Sequence, residues 1–141
     1  MAAPILNPAC PGTFALPYGV RTGLEIAING LVQHKNKNFA INLISGGNIA
    51  LHINFRWEKE KTVAMNGNIN NTWGTEIRHA NPLHHDHPFD LRIRVYPSYF
   101  HITCNGVLLA DFPHRLPFES IQAISLEGKV HINNISFLQF Q

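Results

Sequence analysis

Apolar and polar residues alternate with a period of two along most of this chain. In Phe39-Ala40-Ile41-Asn42-Leu43 and in Leu91-Arg92-Ile93-Arg94-Val95 the large apolar residues fall on one side of an extended strand. Runs of this kind recur between turn signals, the pattern of an all-β sandwich. The predicted strands are Leu24–Val32, Phe39–Ile44, Ile49–Trp57, Thr62–Met65, Gly74–His79, Phe89–Tyr96, Tyr99–Cys104, Val107–Phe112, Ser120–Leu126 and Lys129–Phe140. Turn chemistry separates them at Ser45-Gly46-Gly47-Asn48, Pro97-Ser98 and Glu127-Gly128. Asn105-Gly106 is the strongest hairpin signal, because both residues tolerate positive φ. No segment keeps a helical period, and no internal repeat is visible. Residues 1–12, rich in Pro and small side chains, read as an N-terminal arm, and residues 13–141 as one domain. The expected architecture is a jelly-roll β-sandwich, two antiparallel sheets face to face with one polar outer surface.

Composition narrows the function classes. A chain of 141 residues fits one domain and can bury a two-layer core without disulfides or metal. With 45% hydrophobic and 14% charged residues it is not compositionally disordered. A net charge of +2 and the lack of Lys/Arg runs with interleaved aromatics argue against a nucleic-acid partner. No apolar stretch is long enough for membrane insertion, and the N-terminus has no basic n-region of a signal peptide. Synthesis in the cytosol is therefore expected, with the glycosylation patterns Asn70-Asn71-Thr72 and Asn134-Ile135-Ser136 unused. Cys10 and Cys104 are too few for a disulfide framework, and two free thiols are expected.

Two clusters carry candidate chemistry. On an extended strand His52, Asn54 and Arg56 project from one face, while Leu51, Ile53 and Phe55 take the opposite, core side. A donor-only Arg, a mixed Asn and an imidazole in one row can address sugar hydroxyls. Any antiparallel sheet with one wet face shows the same alternation, however. In Trp73-Gly74-Thr75-Glu76-Ile77-Arg78, Glu76 and Arg78 share a face, and Trp73 offers an aromatic platform or a core side chain.

Taken together, His52-x-Asn54-x-Arg56, then Asn66, then Trp73-Gly74-x-Glu76-x-Arg78 resembles the sugar-binding signature of the galectins. Phe39-x-x-Asn42-Leu43, Asn105-Gly106, Phe112-x-His114-Arg115-x-Pro117 and Leu126-x-Gly128 with Val130-x-Ile132 extend the resemblance from about residue 13 to the end. It implies a prototype-like, metal-independent lectin without cofactor, recognising β-galactosides such as lactose and N-acetyllactosamine on glycoproteins or glycolipids. His52, Asn54 and Arg56 would bond the axial O4 of galactose, with Arg56 also reaching the ring oxygen. Asn66 would bind O6 and Trp73 would stack on the ring. Glu76 would bridge O6 and the next sugar, and Arg78 would contact that sugar and orient Glu76. The resemblance further implies a homodimer paired through terminal strands, and export from the cytosol by an unconventional route. One position departs from the family: Phe55 stands where galectins usually have Pro. Its side chain should face away from the site, so Phe55→Pro is expected to give equal or modestly tighter lactose binding.

Three rivals compete with this lectin. A glycosidase needs paired carboxylates flanking a scissile bond, and Glu58 and Glu60 alternate with lysines in a solvated turn instead. Glu76 beside Arg78 is held ionised, the wrong state for a general acid, so the chain is not expected to be an enzyme. His79, His84, His85, Asp86 and His87 have zinc-like side chains, but neighbours in a loop rarely converge on one ion. No metal is expected. The remaining alternative is a galectin-fold protein with lost or altered sugar binding that works through protein contacts.

Overall fold

The computed structural model describes residues 2–141. Thirteen strands, numbered in chain order, form two antiparallel sheets among these residues. The six-stranded sheet runs β1 (Ile5–Leu6), β13 (Val130–Gln139), β3 (Leu24–Val32), β9 (Pro88–Val95), β10 (Tyr99–Cys104), β11 (Val107–Pro113). The other runs β2 (Gly12–Ala15), β12 (Ala123–Gly128), β4 (Asn38–Ser45), β5 (Asn48–Arg56), β6 (Thr62–Ile69), with β7 (Thr72–Trp73) and β8 (Ile77–Ala80) both on the outer edge of β6. This is the sandwich that the alternation predicts. No helix among the described residues is long and apolar enough to cross a membrane.

Alternation places one apolar set from each sheet in the shared core. Phe39, Ile41 and Leu43 of β4 and Leu51, Ile53 and Phe55 of β5 are buried, and so are Leu91, Ile93 and Val95 of β9. The Phe55 ring stacks on Phe39 with centroids 4.9 Å apart, and Phe39 also meets Trp57 and Phe89 at 5.9 and 5.5 Å. On the far side of the six-stranded sheet Arg92 and Arg94 do point away from the core. They close over Glu25 of β3 at 3.2 and 2.8 Å, leaving that carboxylate only 3% exposed. A buried carboxylate is tolerable because two guanidiniums satisfy it.

Four local outcomes differ from the sequence-based prediction, and the first is that β6 runs on to Ile69, four residues past the predicted end at Met65. Within the N-terminal segment Ile5–Leu6 pairs with β13, and Gly12–Ala15 pairs with β12, so this segment edges both sheets. Strands of two to four residues are too short to display a period. Ser120 ends a 3₁₀ turn, Phe118–Ser120, and the strand predicted from Ser120 begins at Ala123. The strand predicted from Gly74 begins at Ile77, because the ladder is interrupted between Trp73 and Ile77 by contacts described below. Cys10 and Cys104 are unbridged. Burial, assisted by the Asp90 charge, pushes the Cys104 thiol up to about 12, which leaves it unreactive.

Candidate functional site

Strand β5 lies between β4 and β6, and register fixes what surrounds its outward row. His52 is opposite Asn42 on one side and Asn66 on the other. Asn54 is flanked by Ala40 and Ala64, and Arg56 by Asn38 and Thr62. The small side chains beside Asn54 leave the row standing above its neighbours. On the far side of β6, Arg78 is opposite Ala64 and therefore shares the same face.

Hydrogen bonds among these groups leave a defined set free. Arg56 Nε donates to Asn54 Oδ1 at 3.1 Å, and Arg56 Nη2 donates to Glu76 Oε1 at 3.0 Å. Arg78 Nε donates to the other Glu76 oxygen at 2.8 Å. Burial raises the Glu76 carboxyl, but the hydrogen bonds and charges of Arg78 and Arg56 outweigh it and hold the group below its usual range. His52 Nδ1 is hydrogen-bonded to Asn42 Oδ1, an acceptor, so the ring donates there and its Nε2 keeps a lone pair. Burial holds the His52 ring below its ordinary pKa; Glu127 and Glu76 raise it and Arg56 lowers it further, with burial dominant. The row thus presents one acceptor, His52 Nε2, and two donors, the Asn54 amide and Arg56 Nη1. A single hydroxyl offers one O–H and two lone pairs, the complement of that set.

Trp73 forms the wall beside this row. Its ring lies 4.8 Å from that of His52 and is 49% exposed, too open for a core side chain. His52, Arg56, Asn66, Trp73, Gly74 and Glu76 line a groove of about 400 Å³. A separate cavity of about 340 Å³, lined by Leu16, Tyr18, Leu24 and Phe137, is mainly apolar. The groove combines an exposed aromatic face with convergent polar groups.

Asn66 is 5% exposed, and most of its amide is spent inside the protein. Its Nδ2 donates to the Gly74 carbonyl at 2.8 Å, while Oδ1 accepts from Gly67 N at 2.8 Å and from Arg115 Nη1 at 2.7 Å. One amide hydrogen remains for the groove. Arg115 is the residue the sequence reading left without a role. Its Nη2 donates to the Thr75 carbonyl at 2.8 Å, and its guanidinium lies 4.6 Å from the centre of the Phe112 ring. Gly74 N still donates to Gly67 O at 3.1 Å, but Asn66 and Arg115 take the Gly74 and Thr75 carbonyls and so end the ladder there, with Trp73 and Glu76 on either side of the break. A Cβ at position 74 would come within 2.8 Å of Arg115 Nη1 and 3.2 Å of Asn66 Oδ1, so any larger residue there would push that guanidinium aside. Arg115 lies within a stretch already noted for its family resemblance; its contacts needed the fold.

Five of the seven predicted site residues line the groove, while Asn54, beside Arg56, and Arg78 share its face at the rim. The rival clusters do not assemble. Glu58 faces Lys37 at 3.9 Å, and Glu60 faces Arg78 at 3.5 Å, both in solvent. The loop histidines bond separate partners: His85 to Asn36 O, His87 to His85 O, His79 to Ala80 O and His84 to Lys61. Among the described residues no three His, Cys, Asp or Glu side chains are grouped to hold a metal ion.

Known proteins share this arrangement of chain. The family described as galactoside-binding lectin matches residues 11–137. The Caenorhabditis elegans protein named probable galaptin lec-8 is 52% identical over 139 residues, covering 97% of this chain and 77% of its own. Probable galaptin lec-7 of the same organism is 39% identical over 138 residues, with the same coverage of 97% and 77%. The crystal structure of Caenorhabditis elegans galectin LEC-6 superposes with a TM-score of 0.89 at 28% identity, covering 96% of each chain.

Proposed function

This chain belongs to the galectin family of galactoside-binding lectins, which are not enzymes, and we propose that its groove binds lactose- and N-acetyllactosamine-type glycans directly, without metal. The observation that supports this is the hydrogen-bond inventory of the β5 row. One acceptor and two donors converge where a single hydroxyl satisfies all three, and Trp73 stands beside them for the apolar face of the ring. In this pose His52, Asn54 and Arg56 take the axial O4 of galactose. Trp73 stacks on the ring, and the remaining Asn66 hydrogen reaches O6. Glu76, held ionised between Arg56 and Arg78, accepts from hydroxyls of the galactose and the next sugar. Pairing of two copies would present two such grooves and cross-link glycans by avidity. Cytosolic synthesis with unconventional export belongs to the same proposal.

Isothermal titration of Trp73→Leu with lactose tests the reading. An exposed stacking platform contributes about 1–3 kcal/mol by analogy with base stacking, so affinity should fall about five- to 150-fold. The fold should persist, because Trp73 is half exposed. Unchanged lactose affinity in the folded variant would take Trp73 out of the site. Every proposed contact comes from a protein side chain, so EDTA should leave the affinity unaltered. A loss on chelation that zinc or calcium restored would replace the side-chain mechanism with a metal-dependent one.

The state of His52 gives a pH dependence with a definite sign. The sugar O–H needs the Nε2 lone pair, which protonation converts into a third donor. Burial lowers the His52 pKa in the free protein, against which Glu127 and Glu76 act and with which Arg56 acts. Lactose binding should therefore be level from pH 8 down through the ordinary imidazole value of about 6.5, and fall only below it. Titration calorimetry across this range decides the point. Binding that instead weakened as pH rose through the imidazole range would mean that a charged imidazole is needed, and His52 would not be the acceptor.

A further inference from the structure

The acceptor character of His52 is imposed from two strands away. Asn42 of β4 is 2% exposed, so both ends of its amide need partners inside the protein. Its Nδ2 faces Glu127 Oε2 at 2.7 Å and Ser125 Oγ at 3.0 Å, both on β12. Its Oδ1 faces His52 Nδ1. A serine hydroxyl donates or accepts equally well and gives the amide no direction. A carboxylate only accepts. Glu127 therefore requires the NH₂ end of Asn42 on its own side, which turns the oxygen toward His52 and requires the ring proton on Nδ1.

We infer that Glu127 is a positioning residue for the galactoside groove, fixing through Asn42 the His52 tautomer that leaves Nε2 as the acceptor. The inference rests on the proposed galactoside reading for its consequence, but the tautomer is a property of the free protein. Without the carboxylate the Asn42 amide is free to turn over. Its NH₂ end then donates to His52 Nδ1, and the ring proton moves to Nε2. The β5 row becomes three donors, and a hydroxyl has two lone pairs. The binding-competent fraction falls, and the apparent dissociation constant rises by the inverse of that fraction.

The experiment uses the whole chain with ¹⁵N-labelled histidine and reads the ring nitrogens of His52 by two-bond ¹H–¹⁵N correlation, without sugar and near pH 7.5. In the wild type the Nδ1–H form alone is expected. Glu127→Gln keeps the shape and loses the acceptor-only character, so the Nε2–H form should become populated; Glu127→Ala should do the same. Glu127 is exposed, so neither change threatens the core. Lactose affinity should fall in step with the remaining Nδ1–H fraction, about twofold at one half and fivefold at one fifth. A purely steric or structural role for Glu127 would leave the Gln variant indistinguishable from the wild type. His52 wholly in the Nδ1–H form in both variants, or in the Nε2–H form in the wild type, overturns the inference. If the tautomer responds as expected while wild-type lactose binding is absent, the relay stands and the galactoside reading fails.

Discussion

Lactose and N-acetyllactosamine are expected to bind, while cellobiose and maltose give no measurable heat at the same concentrations. Galactose and glucose differ only in whether the hydroxyl at C4 is axial or equatorial. The β5 row matches one hydroxyl in number and kind: His52 Nε2 accepts, and the Asn54 amide and Arg56 Nη1 donate. In the proposed pose the equatorial epimer would carry that hydroxyl away from the row. The three groups are then covered by sugar without partners, and each orphaned group costs about 1–3 kcal/mol. Two of them already amount to about 2–6 kcal/mol, a preference of at least about thirtyfold. Calorimetry with the four disaccharides measures this directly. Comparable dissociation constants for lactose and cellobiose would show that the row does not read O4.

Phe55→Pro should strongly destabilise the protein, so the equal or modestly tighter lactose binding expected from family resemblance would be read only on the fraction that stays folded. The sequence correctly places Phe55 on the face opposite His52 and Asn54. What it leaves open is how much the core depends on that ring. Phe55 is wholly buried and stacked on Phe39 at 4.9 Å, within an aromatic group that includes Trp57 and Phe89. Removing a buried Phe ring costs about 3–5 kcal/mol, a large share of the roughly 5–15 kcal/mol that holds a domain folded. Proline also deletes a backbone donor from a strand paired on both sides. The expected result is a thermal midpoint lowered by many degrees, or no folded protein. Phe55→Leu serves as the companion, with a smaller loss of stability and lactose affinity within about twofold, because the side chain faces away from the groove. An unchanged midpoint in Phe55→Pro would mean that the aromatic stack contributes little.

These two cases divide along a physical line. Periodicity is a local property, so the sequence by itself determined the all-β class, most strand bounds and the face each residue takes. Strand β3 begins and ends where alternation places it, at Leu24 and Val32. The row of His52, Asn54 and Arg56 followed from the same rule, and the spacing to Asn66, Trp73, Glu76 and Arg78 carried the family resemblance. Short edge strands such as Ile5–Leu6 and Thr72–Trp73 escaped, since two residues have no period and are held only by their partner strand.

Tertiary structure decided everything that depends on neighbours remote in sequence. Arg115 reaches Asn66 across 49 positions where the ladder ends beside Trp73, and no local pattern encodes that distance. The choice of proton on His52 belongs to Asn42, 10 residues away, and Asn42 is turned by Glu127, 85 residues from it. The sequence names an imidazole; only the packed sheet, where a buried amide has one satisfactory orientation beside a carboxylate, makes that imidazole an acceptor.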